Sequence, residues 1–275
     1  EAARTTGATG FLPRTSPEEC LLDNVAAHAL HALGTRVPLP RSFHQVAKAN
    51  GVSLPQGVLA GLTADLNLIA SVPHLLPRWL RMPEGHRVVG PVYARLPGET
   101  PELLADLAAG SQPLVYFAMG SSGNRDLVLH VLAGLGRADC QVLAPVRSHL
   151  HEEDLETLPL NVHVTDWIPA HQLGDAVDLA ITHGGEGTVQ TSCVQGWPFI
   201  GIPLQFEQRF NIQRCVAFGS AKLVSQNEAR RTDWAALVRQ ALADDGMRSR
   251  ARRMARLMEG LDGPGRAAEA ICELL

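Results

Sequence analysis

A short apolar run, DLAIT (Asp178 to Thr182), leads directly into His183, Gly184, Gly185, Glu186, Gly187 and Thr188, and the chain then stays helix-compatible to about Gln195. Such a run suits a strand buried on both faces, as in a parallel sheet. A strand that breaks into glycines and opens a helix leaves bare backbone N–H groups at the positive end of the helix dipole, which is a seat for phosphate. Glycine at 184, 185 and 187 lets the main chain come close, and His183 and Thr188 add side-chain donors. The junction is one βα unit, and its neighbours supply more.

The flanks say which anion. Upstream, Trp167 and Ile168 follow the strand-like NVHVT in a loop, where an exposed indole can stack on a flat base. Downstream, PFIGIP reads as another buried strand, and its exit carries Glu207 and Gln208. A carboxylate accepts from two hydroxyls, while an amide both accepts and donates, so the pair suits a sugar. Base platform, phosphate seat and sugar clamp follow in that order, spaced as in successive βα units. A second strand–glycine junction runs from PLVYFAM into Gly120, Ser121, Ser122, Gly123 and Asn124. It is not a nucleophile elbow, because the fifth position of G-x-S-x-G is Asn124, and it is not a Walker A loop, because no lysine follows.

Composition removes whole classes of function. The 275 residues are 45% hydrophobic with a net charge of -4 and no basic stripe, which argues against nucleic acid. No apolar run reaches the length of a membrane span. The five cysteines are scattered without a C-x-x-C pair, which argues against zinc or a disulfide framework and fits a reducing cytoplasm. The chain opens on Glu1 with no signal peptide and reads as a piece of something longer. Lys48 and Lys222 are the only lysines among 24 basic residues, a bias that fits a high-GC genome such as an actinobacterium's.

The remaining elements fall into place around these loops. Residues 1 to 19 read as loop, Glu19 to Leu33 as a helix on which His28 and His31 share a face without a third metal ligand, and RSFHQVAKANGV as a helix ended by Asn50-Gly51. His44 reads as a surface residue. ADLNLIAS and HRVVGPV read as strands, and a helix starts near Thr100 and ends at Gly110. CQVLAPV is a strand. The helical region after it gathers His149, His151, Glu152, Glu153 and Asp154, which point in different directions and form a solvated face. NIQRCVAFG is a helix stopped by Gly219, AKLV a strand, and three helical segments fill 228 to 275.

The ordered set W-x-P, T-H-G-G-x-G-T, G-x-P and E-Q-x-x-N resembles the donor-binding motif of nucleotide-sugar-dependent glycosyltransferases of GT-B fold, nearest to bacterial natural-product enzymes and UDP-glucuronosyltransferases. The matching residues are Trp167, Pro169, Thr182 to Gly185, Gly187, Thr188, Gly201, Pro203, Glu207, Gln208 and Asn211. Thr191 stands where plant relatives carry a ribose-binding glutamate. The resemblance implies an α/β chain of two Rossmann-like lobes, with residues 1–91 an incomplete N-terminal, acceptor-side lobe and 92–275 the C-terminal nucleotide-sugar lobe. It implies that Gly120, Ser121, Trp167, Ile168, His183, Gly184, Gly185, Gly187 and Thr188 bind the donor nucleotide and diphosphate, and that Glu207 and Gln208 bind the sugar. The usual catalytic histidine belongs to the start of the N-terminal lobe, where this chain has no strand–glycine–histidine opening, so no base is named.

The expected reaction is an inverting, metal-independent transfer of a hexose from a UDP- or dTDP-sugar to a hydroxyl of a small apolar acceptor. The nucleotide sugar is a co-substrate, with no cofactor and no metal, and a homodimer is compatible with this reading. Three alternatives stand beside it: a donor-binding subunit needing a second polypeptide, an N-acetylglucosaminyltransferase, and a nucleotide-sugar epimerase.

Overall fold

The computed structural model describes residues 37–54, 57, 64–76, 82, 84–92 and 95–274. The loop read at 1–19 and the helix carrying His28 and His31 lie outside them. The chain divides into two compact units, one of Glu1–Gly90 with Asp262–Leu275 and one of Pro91–Leu261.

In the first unit, α1 (Arg41–Ala49) ends at Asn50, and His44 is exposed on it. Strands β1 (Asn67–Ile69) and β2 (His86–Val88) pair in parallel with Asn67 opposite His86. The two apolar runs therefore yield only three-residue strands.

The second unit is built on a six-stranded parallel sheet. In chain order come α2 (Leu103–Ala109), β3 (Leu114–Ala118), α3 (Arg125–Leu135), β4 (Gln141–Ala144), α4 (Glu152–Leu155) and β5 (Val162–Val164). Then follow β6 (Leu179–Thr182), α5 (Glu186–Gln195), β7 (Phe199–Gly201), α6 (Phe206–Phe218), β8 (Ala221–Leu223), α7 (Gln226–Ala229), α8 (Trp234–Leu242) and α9 (Asp245–Met258). The last helix, α10 (Gly263–Cys272), groups with the first unit, where Arg87 pairs with Glu273.

The strand order β5-β4-β3-β6-β7-β8 is that of a doubly wound dinucleotide-binding sheet. The order in which successive strands are added reverses between the parallel neighbours β3 and β6, whose pairing sets Ala118 opposite Thr182. Ligands of such sheets bind beyond the carboxyl ends of the strands at this switch point. Both glycine junctions of the sequence therefore emerge side by side.

Alternation along the strands explains why both faces are covered. Val115, Phe117, Val142, Leu179, Ile181 and Ile200 pack with Leu127, Val131, Leu135 and Val238 from α3 and α8. The intervening residues face the other way, where the Tyr116 ring lies 5.8 Å from that of Trp197. Every residue of β3 and β6 is buried, as two-sided packing requires. Trp234 is wholly buried with Nε1 donating to the Ala229 carbonyl at 3.0 Å. Met254 and Met258 on α9 are core residues, and Leu257 beside them is half-buried.

Two expectations need correction. The helix read from Asn211 begins at Phe206, so Glu207 and Gln208 sit on its first turn rather than on a strand exit. The region from Arg147 to Leu155 is a 3-10 turn and a four-residue helix on which His151, Glu152 and Glu153 are solvated as read, but Asp154 is not. Asp154 is buried there, accepting from Arg125 Nε at 2.8 Å, Arg125 Nη2 at 2.5 Å and the His151 N–H at 2.8 Å. The arginine lies on α3, far away in sequence, which is why local periodicity misses the pair. Hydrogen bonding and charge from Arg125 hold the Asp154 carboxyl below the usual carboxylate range.

Candidate functional site

The site begins with the loop after β6. His183 is buried, and its ring is wedged between two glycines. A Cβ on Gly120 would stand 2.6 Å from His183 Cε1, and one on Gly185 would stand 2.5 Å from His183 Nε2. Glycine at 120 and 185 therefore makes room for this imidazole. Gly184 serves differently: its φ of +86° is a left-handed conformation, and a Cβ there would meet Ile212 at 2.5 Å and the Gln208 carbonyl at 2.8 Å. Of the three loop glycines, Gly187 alone has nothing within 4 Å of an added Cβ. It lies exposed in the first turn of α5, where the N–H groups have no partner inside the helix.

His183 Nδ1 is buried without a hydrogen-bond partner. Burial pushes the His183 pKa below the ordinary histidine value and nearby His149 adds to this, while the Ala118 carbonyl and the Glu207 carboxylate pull the other way. Glu186 shows the opposite shift. Packing on its inner side raises its carboxyl although its outer edge is open, the Gln190 amide at 2.6 Å partly offsets this, and Glu207 adds repulsion.

Around this loop stand contributions from two other strand ends. From β3, Gly120 turns with φ +53° into a 3-10 turn through Ser122, and Asn124 caps α3 by accepting from the Leu127 N–H at 3.0 Å. Ser121 is exposed beside it. From β7, the first two turns of α6 bring Glu207, Gln208 and Asn211. Gln208 is buried, its Oε1 accepting from the N–H groups of Leu204 (2.9 Å) and Gln205 (3.1 Å), so it closes a capping box. Its Nε2 donates to Ser122 Oγ at 3.2 Å and Gln205 Nε2 reaches the same oxygen at 3.4 Å, tying the first loop to the third. Glu207 is exposed, held by Asn211 Nδ2 at 2.7 Å. The same nitrogen donates to the Gly184 carbonyl at 3.1 Å.

Trp167 stands apart in the loop after β5 and is 60% exposed, whereas Ile168 beside it is 5% exposed. Gly98 supports the indole: a Cβ there would lie 3.0 Å from Trp167 Cζ3. Thr188 is half-buried, and its carbonyl accepts from Ser192 Oγ at 3.0 Å. Thr191 bonds back to the Gly187 carbonyl at 2.8 Å.

The structure thus brings Gly120, His183, Gly184, Gly185, Glu207 and Gln208 together. Sequence reading matched Asn211 to the donor motif without giving it a contact, and gave no site role to Ser122, Gly98 or His149. The structure supplies the contact for Asn211, which lies four residues beyond Glu207 on one helix face. The other three depend on contacts across loops distant in sequence. Among the described residues, no group of three or more His, Cys, Asp or Glu could hold a metal, and no helix is long and apolar enough to cross a membrane.

Comparison with known proteins agrees with this architecture. Residues 129–274 match the family described as erythromycin biosynthesis protein CIII-like, C-terminal domain. A PGL/p-HBAD biosynthesis glycosyltransferase of Mycobacterium tuberculosis is 30% identical over 191 residues, covering 70% of this chain and 44% of that protein. A demethyllactenocin mycarosyltransferase of Streptomyces fradiae is 23% identical, over 95% of this chain and 58% of its own length. The chain thus spans about half the length of the curated relatives it matches. The crystal structure of the glycosyltransferase VinC in complex with dTDP shares the fold, with a TM-score of 0.64 and 19% identity over 82% of this chain and 55% of that one. This chain belongs to the erythromycin biosynthesis protein CIII-like, C-terminal domain family, and it shares the GT-B fold of the solved glycosyltransferases it resembles.

Proposed function

We propose that the unit from Pro91 to Leu261 seats the donor of a glycosyl transfer, and that the whole protein moves a hexose from a UDP- or dTDP-sugar to a hydroxyl of a small apolar acceptor. The observation that carries this reading is the convergence of three loops at the sheet's switch point, with the open N-terminus of α5 in their midst. A diphosphate there meets unpartnered N–H groups and the positive end of the helix dipole. The exposed indole of Trp167, with the Ile168 backbone beside it, takes the base. Glu207, oriented by Asn211, accepts from sugar hydroxyls, and Gln208 has at most one amide N–H to offer.

The chemistry follows from that placement. The acceptor oxygen attacks the anomeric carbon as the bond to the diphosphate breaks on the opposite side, and a base takes the hydroxyl proton, so configuration inverts. Charge builds on the leaving diphosphate, where His183, the Gly184–Thr188 backbone and the α5 dipole stabilise it without a metal. Relatives named as glycosyltransferases, and a structural neighbour solved with dTDP, support the donor class.

Calorimetric titration of the chain with UDP and dTDP, alongside His183→Ala, tests it. Binding of one nucleotide that weakens in the variant is the expected result. A chain that binds neither, or a variant that binds as well as wild type, would refute the assignment.

A further inference from the structure

His149 belongs to none of the motifs, yet its Nε2 lies 2.6 Å from the Gly120 carbonyl oxygen. The ring is half-buried and also borders Gly123, where an added Cβ would approach Nε2 to 3.1 Å. It reaches this position from the 3-10 turn Arg147–His149, which follows β4, the strand next to β3. That turn is itself anchored: the Arg147 N–H donates to the Thr165 carbonyl at 3.2 Å, and Arg147 pairs with Glu152. The histidine is therefore presented from a braced segment.

A backbone carbonyl is the wrong group to turn towards a phosphate, because its negative end would face an anion. The Gly120 turn must therefore hold its carbonyl elsewhere to serve a diphosphate. Its left-handed φ of +53° leaves that orientation to glycine, the most permissive residue. A ring N–H donating to the oxygen removes that freedom.

The geometry points to His149 as a positioning residue that donates from Nε2 to the Gly120 carbonyl and locks the Gly120–Gly123 turn in the form that accepts a diphosphate. This rests on the donor-site reading above. His149 and His183 thus both border Gly120, the first through the Gly120 carbonyl and the second against its Cα.

The test compares affinity for the nucleoside diphosphate with affinity for the matching nucleoside (UDP against uridine, dTDP against thymidine) in wild type, His149→Ala and His149→Gln. Loss of one hydrogen bond of ordinary strength corresponds to roughly a five- to tenfold change in affinity. His149→Ala is expected to weaken diphosphate binding by that factor and leave the nucleoside unchanged, while His149→Gln, whose amide can still donate, recovers most of the loss. Unaltered diphosphate affinity in His149→Ala overturns this assignment alone. A parallel loss for nucleoside and diphosphate also overturns it, because that marks general damage to the lobe. A wild type that binds the diphosphate no better than the nucleoside overturns the donor-site reading and this inference with it.

Discussion

The tightest constraint in the site is the contact between His183 and Gly120, and it supports a quantitative test. Gly120→Ala adds a Cβ that would lie 2.6 Å from His183 Cε1 and 2.8 Å from His183 Nε2. Two costs arise together. A φ of +53° penalises any L side chain by about 1–2 kcal/mol. Forcing an extra carbon into an occupied space costs a further ~1–3 kcal/mol. The expected destabilisation is therefore about 2–5 kcal/mol, and its parts separate in a double-mutant cycle. In a His183→Ala background the ring is gone, the steric part vanishes, and Gly120→Ala should cost only the conformational part of about 1–2 kcal/mol. Urea unfolding of the four proteins, followed by far-UV circular dichroism, gives the coupling. The same cost for Gly120→Ala in both backgrounds would show that the imidazole does not fill the space between the loops, and the packing account of Gly120 and Gly185 would fail with it.

Gly187→Ala separates scaffold from binding surface. Nothing stands within 4 Å of the new Cβ and the residue is helical, so stability should rise by about 0.5–1 kcal/mol. Nucleotide affinity should nevertheless fall, because the methyl occupies the face offered to the diphosphate; a calorimetric titration showing unchanged affinity would move the ligand away from this helix end. Acidification should destabilise the fold in two stages. His183 has a lowered folded pKa, so its contribution is present above the ordinary histidine value of about 6.5 and is lost as pH falls through the folded value. Asp154, held low by Arg125, contributes above the usual carboxylate range and loses that contribution at still lower pH. Urea midpoints measured between pH 7 and 3 check both, and Asp154→Asn should flatten the lower stage only.

What the sequence could disclose, and what it could not, follows from the range of the interactions. Strands β3 and β6 were legible because two-sided burial leaves an unbroken apolar run, and α5 because a glycine pair announces its start. The first turn of α6 was not, because a single Phe206–Phe210 pair, neither residue of which is buried, is too short a pattern to mark a helix; a capping box made by Gln205 and Gln208 sets its start instead. The four glycines were legible as glycines but not as four different devices. Gly185 yields to the ring two residues before it, Gly120 to that same ring 63 positions away in the chain, Gly184 to Ile212, and Gly187 to nothing the chain itself supplies. A local motif thus mixes positions required by the fold with positions left open for a ligand, and only tertiary contacts sort them. The sorting has a consequence for the site. Trp167, Gly187 and Glu207 are exposed, while His183, Gln208 and Asn211 are buried behind them. Changes at the first three should therefore fall mainly on affinity, and changes at the buried three on stability and affinity together.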